Sequence, residues 1–391
     1  MASILISSVS PGLTKSSLRC STPSPLSSNQ VLSDLQLRPL KHSHSLSCKK
    51  LLRSHSKFPS VTLASHSSAT SSSSLLNKNI SDNLSEVQNL KANNVSWIDS
   101  YLPSQLQPYA RLARLDKPIG TWLLAWPYMW SIALAAVPGH LPDFKVLALF
   151  GCLALFIRGV ACTINDFFDR DIDKMVERTK LRPLASGELT PFQGLCFLCF
   201  QLLLALGVGI LLQLDNLGWT LGTATLFLLF TYPLMKRITY WPQAYLGFAF
   251  NLGALSGWQA IKGSLDLAIV LPLYASGVFW TLLYDTIYAH QDKEDDIKVG
   301  VKSTALLFGD STKTWTAGFG FACIGCLALS GFNANIGWPY HAFLAAASGQ
   351  LAWQVLTADL SSPADCSSKF VSNKWFGALI FGGILAGRLA F

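Results

Sequence analysis

Two acidic stretches carry the residue types and spacing most capable of chemistry. The first reads Asn165-Asp166-Phe167-Phe168-Asp169, then Asp173; the second runs from Asp285 through Tyr288 and Asp292 to Asp296. On a helix of 3.6 residues per turn, Asp166, Asp169 and Asp173 share a face, and Asn165 and Asp169 are one turn apart. Asp285, Asp292 and Asp296 form a comparable stripe with Tyr288 beside them. Carboxylates crowded at the edge of an apolar phase repel one another unless a cation neutralises them. Hard oxygen donors in this number suit Mg²⁺.

Basic residues follow each stretch at once: Arg178, Lys180 and Arg182 after the first, Lys298 and Lys302 after the second. A solvated acidic helix cap would not need this repeated pairing. A Mg²⁺-diphosphate does, because the metal bridges some oxygens while Lys or Arg neutralises the others. Lys236 and Arg237 end another apolar segment, and suit either diphosphate binding or anchoring at the membrane edge.

The elements that must position these groups are membrane helices. The chain has 391 residues, 50% hydrophobic and 13% charged, a balance that points to a membrane protein. Residues 1–80 hold nine Lys or Arg and one acid, Asp34, and so account for the whole formal charge of +8. The rest is balanced, with no basic patch suited to nucleic acid. That Ser-rich, acid-poor leader reads as an organelle transit peptide, for a mitochondrion or a plastid. From residue 96 to 391 the chain reads as one membrane domain. The segment from Ser96 to Arg114 is amphipathic and suits the membrane surface.

Apolar spans then begin near residues 119, 145, 193, 217, 243, 267, 314, 338 and 374, each long enough for a bilayer core of about 30 Å. Nine alternating spans sort sixteen Lys and Arg to one face and leave three, Lys145, Lys262 and Arg388, on the other. That asymmetry puts the amino terminus and both acidic stripes on the inner face. The fold expected is all-α, a multi-spanning membrane helix bundle of about nine transmembrane helices around a central cavity. Gly253-x-x-x-Gly257 marks close helix packing; Asn251 either lines the cavity or bonds a neighbouring helix. Two Cys-x-x-Cys pairs, Cys196/Cys199 and Cys323/Cys326, lack acids or His nearby and read as packing residues.

A diphosphate clamped at the membrane edge with an apolar remainder is most simply an isoprenoid diphosphate. Its allylic C–O bond ionises when the leaving group is neutralised. The carbocation needs a dry, aromatic-rich bundle, so that an electron-rich acceptor captures it before water does. A transporter would instead place its ionisable residues at broken helices in mid-membrane.

Asn165-Asp166-x-x-Asp169-x-x-x-Asp173 together with Asp285-x-x-Tyr288-x-x-x-Asp292-x-x-x-Asp296 resembles the paired signatures of the UbiA-type intramembrane aromatic prenyltransferases. The likeness runs from about Ser96 onward and includes Arg114-Leu115-Asp116-Lys117-Pro118 and Arg182-Pro183-Leu184-Ala185-Ser186-Gly187. Within the family the pattern is most similar to the branch that joins a polyprenyl diphosphate to 4-hydroxybenzoate for ubiquinone synthesis. The resemblance implies two Mg²⁺ ions held by Asn165, Asp169, Asp292 and Asp296, with Asp166 and Asp173 in support. It implies diphosphate binding by Arg178, Arg182, Lys236 and Lys302. Asp285, beside Tyr288, would activate the acceptor phenol, Arg114 and Lys117 are candidates for its carboxylate, and the new bond would form ortho to the hydroxyl. Such an enzyme would sit in the mitochondrial inner membrane, its site facing the matrix. A geranyltransferase of specialised metabolism, or a plastid enzyme prenylating homogentisate or a flavonoid, fits the same motifs.

Overall fold

The computed structural model describes residues 96–390 apart from Glu177. The leader read over residues 1–80 lies outside the described residues. Two short helices, Trp97–Tyr101 and Gln107–Leu112, come first, where a single surface element was expected. Pro103, which cannot continue the first helix, separates them. The longer helices are α1 (Ile119–Ala135), α2 (Phe144–Phe168), α3 (Pro191–Leu211), α4 (Asn216–Ile238) and α5 (Pro242–Asn251). They continue as α6 (Gly253–Lys262), α7 (Leu267–Ala289), α8 (Thr312–Asn333), α9 (Pro339–Thr357) and α10 (Pro363–Leu389).

Each of the nine apolar segments is helical, and α2, α3, α4, α7, α8 and α10 are long and apolar enough to cross a membrane. The other three differ in kind. α1 has 17 residues, the segment from 242 to 262 is broken in two at Leu252, and α9 carries His341, Gln350 and Gln354.

Local signals set the helix starts. Asp143 accepts from the amides of Lys145 and Val146 to begin α2. Thr190 and Gln193 form a reciprocal capping box at α3, satisfying amides that have no partner inside the helix. Successive helices pack on one another except α3 and α4, which are joined through α2; α2 meets both α3 and α4, α5 meets α7, and α10 returns to α1. The bundle is thereby closed. Gly257 permits the α1–α6 contact: a Cβ there would lie 2.6 Å from Ser131 Oγ and 2.8 Å from the Tyr128 carbonyl oxygen.

At the seam between α1, α7 and α10, Trp130, Trp280 and Phe376 stack, with Trp280 centred 5.2 Å from Trp130 and 5.1 Å from Phe376. Their polar tips are satisfied, since Trp130 donates to the Gly377 carbonyl and Trp280 to Asn373 Oδ1, which also accepts from Gln354. A buried indole N–H left without an acceptor would cost about 1–3 kcal/mol. Asn251 donates to Thr281 across α5 and α7, an interhelical bond. Cys323 is buried, as the packing role requires, whereas Cys196 and Cys199 are exposed on α3 and do not pack in the bundle core.

Candidate active site

The first acidic stretch is not one uninterrupted helix. α2 ends at Phe168, Asp169 is its C-cap, and a short helix, Arg170–Asp173, follows. The second is divided likewise: α7 ends at Ala289, a 3₁₀ turn spans His290–Asp292, and a helix covers Lys293–Val299. Each break releases the chain from the bundle at the point where its acids gather.

Asp166 is 1% exposed and is met by two guanidinium groups. Arg114 Nη2 lies 2.9 Å from both of its oxygens, and Arg182 Nη1 is 3.1 Å from Oδ1. The same Arg182 nitrogen reaches Asp173 Oδ2 at 2.8 Å, so one base joins two acids of the stripe. Burial pushes the Asp173 carboxyl above its ordinary pKa, against the opposing pull of Arg182. Thr179 Oγ1 donates to the Asp173 carbonyl and ties the following loop back to this corner. Arg114 adopts φ +57°, a left-handed backbone uncommon for a side-chain-bearing residue. It ends the helix Gln107–Leu112, where Leu115 N–H donates to the Ala110 carbonyl.

Lys236, in the last turn of α4, places its ammonium 2.9 Å from Asn165 Oδ1 and 2.9 Å from Asp169 Oδ2. Arg237 beside it caps the end of α2 by donating to the Phe168 carbonyl. The two stripes meet through Arg178, whose Nε donates to Asp292 Oδ1 at 2.8 Å and whose guanidinium lies 5.7 Å from the Tyr288 ring centre. Burial works against the Arg178 charge, but the hydrogen bond to Asp292 and the nearby Tyr288, Asp292 and Asp173 raise its pKa overall. Tyr288 in turn stacks on Phe370 at 4.1 Å.

Lys117 has Arg114, Arg178 and Arg182 as electrostatic neighbours; burial first, then those charges, lower its pKa, with Asp116 opposing. Lys302 sits apart from the carboxylates. Its ammonium donates to the Ile238 carbonyl at 3.1 Å and its backbone N–H to the Lys236 carbonyl at 2.8 Å, so it caps α4. Asp285 lies deeper, and among the described residues it makes no ion pair; Lys236 and Arg158 are the cations acting on it. Arg158 was missed as a site residue in the sequence, although a charge in the middle of an apolar span is itself a signal. Asp116, with one buried oxygen lacking a hydrogen bond, was also passed over.

Among the described residues no three acidic, His or Cys side chains converge as a ready metal cage. Bases occupy Asp166, Asp169, Asp173 and Asp292 instead. The Lys236 ammonium nevertheless shows that Asn165 Oδ1 and Asp169 Oδ2 can hold one cation between them, and hard oxygens in that arrangement fit Mg²⁺.

An all-helical membrane bundle whose mouth alternates carboxylates and guanidinium groups defines a protein built to handle polyanionic, lipid-like molecules. The chain belongs to the UbiA prenyltransferase family, which matches residues 124–380. It is 67% identical over 320 residues to the mitochondrial 4-hydroxybenzoate polyprenyltransferase of Arabidopsis thaliana, covering 82% of this chain and 78% of the relative. It is 60% identical to 4-hydroxybenzoate geranyltransferase 2 of Lithospermum erythrorhizon, covering 78% and 98%. A UbiA homologue from Archaeoglobus fulgidus, solved bound to GPP and Mg²⁺, shares the fold at TM-score 0.52 and 17% identity, covering 73% and 100%.

Proposed function

We propose that this chain is a 4-hydroxybenzoate polyprenyltransferase, transferring a polyprenyl group from its allylic diphosphate to the carbon ortho to the acceptor hydroxyl. The observation that carries the reading is the meeting of the two acidic stretches at one mouth, bridged by Arg178 and interleaved with Arg182 and Lys236. The naming of the plant relative supports the acceptor.

Asn165, Asp169, Asp292 and Asp296 would hold two Mg²⁺ ions, with Asp166 and Asp173 in support. Bound Mg²⁺ supplies Lewis-acid polarisation of the diphosphate oxygens. Lys236 and Arg178, paired with acids at rest, turn to the diphosphate when it enters, and Arg182 adds a third base. Lys302 acts more remotely by fixing the end of α4 on which Lys236 sits. Diphosphate departure leaves an allylic cation, and the aromatic rings lining the bundle exclude water from it. The ring carbon ortho to the phenol attacks that cation. Asp285, deep in the bundle, takes or orients the phenolic proton as the new C–C bond forms; the attacked carbon then releases its own hydrogen as a proton and the oxygen regains one, restoring the aromatic phenol, while Tyr288 holds the Arg178 guanidinium in place through its ring.

The mitochondrial relatives support a mitochondrial inner membrane address over the plastid that the leader would equally allow, and the inner-face bias of Lys and Arg supports a mouth toward the matrix. The geranyltransferase relative favours a second reading, in which the donor is geranyl diphosphate. One experiment separates them: membranes holding the full chain receive labelled 4-hydroxybenzoate and a ladder of allylic diphosphates. Product with long donors is expected; product from geranyl diphosphate alone selects the second reading. No product with any donor overturns both.

A further inference from the structure

We infer that His290 is the positioning residue that fixes the second acidic stretch at the mouth, through a hydrogen bond to Thr312 at the start of α8. The inference rests on Asp292 and Asp296 holding a metal ion, as proposed above.

The two acidic stretches are held in different ways. Asp166, Asp169 and Asp173 are 1%, 5% and 5% exposed, so the first stretch is embedded in the bundle by its own carboxylates. From Gln291 to Lys302, by contrast, no residue is buried, and the helix Lys293–Val299 buries none of its side chains. Asp292 and Asp296 therefore depend on whatever anchors the two ends of this segment. His290 is the last buried residue before it and Ser303 the first after it.

The far end is tied to α4, α5 and α7. The Lys302 N–H donates to the Lys236 carbonyl, the Thr304 N–H donates to Gln243 Oε1 at 3.0 Å, and Thr304 Oγ1 lies 2.7 Å from Thr286 Oγ1. The near end is tied to α8. His290 Nε2 lies 3.1 Å from Thr312 Oγ1, and Thr312 is fully buried. Thr312 Oγ1 commits its own proton to the Gly309 carbonyl at 2.8 Å, so toward the imidazole it accepts, and His290 Nε2–H is the donor. This bond joins the 3₁₀ turn His290–Asp292, which follows α7, to the 3₁₀ turn Gly309–Ser311, which precedes α8.

A 3₁₀ turn is a poor anchor by itself, because its hydrogen bonds are less well aligned than those of an α-helix. A segment with few buried contacts opens locally at little cost, whereas a metal site needs its ligands held to within about 0.5 Å. Arg178 also holds Asp292, but Arg178 belongs to a loop and turns to the diphosphate when it enters. Tyr288 on Phe370 steadies the last turn of α7, before the chain leaves the helix. The bond from His290 to Thr312 is the tie that persists on the departing side, two residues from Asp292. α8 carries none of the acids or bases of the mouth, yet through His290 it sets where the second half of the mouth sits.

The test uses the full chain in lipid nanodiscs, as wild type, His290→Leu, His290→Gln, Thr312→Val and the double variant His290→Leu with Thr312→Val. Amide hydrogen exchange read by mass spectrometry should quicken roughly fivefold or more over residues 290–299 in His290→Leu and stay within about twofold over residues 165–173. In prenylation assays the Mg²⁺ concentration for half-maximal rate and the KM for the diphosphate should each rise roughly fivefold or more, while the KM for 4-hydroxybenzoate stays within about twofold. His290→Gln keeps an N–H donor and should recover most of both effects. Thr312→Val removes the acceptor and leaves the imidazole, so it carries the same comparison if His290→Leu does not fold. The double variant should be no worse than the more impaired single one. Equal quickening of both stretches, a 4-hydroxybenzoate KM that rises in step with that of the diphosphate, no recovery with Gln, or additive losses in the double variant overturns the assignment. Mg²⁺-dependent prenylation by the wild type that neither substitution alters sinks the assignment alone. A wild type that forms product without a divalent metal, or forms none, sinks the proposed function and this assignment together.

Discussion

Arg178 and Asp292 are 114 residues apart in the chain, yet Arg178 Nε donates to Asp292 Oδ1 at 2.8 Å and Nη2 to Oδ2 at 2.5 Å. This paired contact brings the loop that follows the first acidic stretch onto the second. Replacing Arg178 by Gln should lower kcat/KM by roughly 10²-fold, about 2.7 kcal/mol of transition-state stabilisation. Lys in its place restores charge but not the fork, so Arg178→Lys should recover less than a tenth of the loss. Steady-state prenylation assays with varied diphosphate check both.

Asp169 and Asp292 belong to different stretches and are each held by a base at rest. Asp169→Ala and Asp292→Ala should each leave membrane insertion intact while reducing turnover by 10³-fold or more. Protease protection in isolated membranes reads the first and product formation the second. A double variant with full activity would remove the case for a metal here.

Chelation by EDTA should stop product formation, with Mg²⁺ restoring it and Ca²⁺ doing so poorly. The larger ion prefers more ligands at longer distances and organises a diphosphate less tightly. Titrating each metal into a chelated preparation gives the comparison.

Asp285→Asn keeps the shape of the side chain and removes its ability to accept a proton. The expected result is a kcat lower by 10²- to 10⁴-fold with the donor KM little changed. An unaltered kcat would move proton removal to another group.

Arg114→Ala should destabilise the protein by roughly 3 kcal/mol, because Asp166 is buried and loses its two-oxygen partner. The midpoint of thermal unfolding in detergent should fall by several degrees, even with Arg182 still in place.

Much of this was legible in the amino-acid order, because apolar periodicity and repeated charge are local signals. The helical segments and the stretches around Asp166 and Asp292 needed no tertiary knowledge. Their exact course did. Asp169 and Asp292 were read as members of continuous helices, whereas both sit where a helix ends, and such ends depend on what the released carbonyls meet, such as Arg237 at Phe168. The roles of the bases were harder still. Lys302 and Arg114 look equally free in sequence, and only three dimensions commit one to the Ile238 carbonyl and the other to Asp166. Arg158 was visible as an anomaly, but its neighbours come from four other helices.

The break at Leu252 has a consequence for how the chain is made. α5 and α6 have ten residues each, about 15 Å apiece and half the depth of a bilayer's hydrocarbon layer. Their shelter comes from α1 and α4, synthesised before them, and α7, synthesised after. During biogenesis this stretch must therefore wait for the ribosome to deliver α7 before its last flank is covered, which leaves it open to quality control in a chain stalled or truncated before that helix.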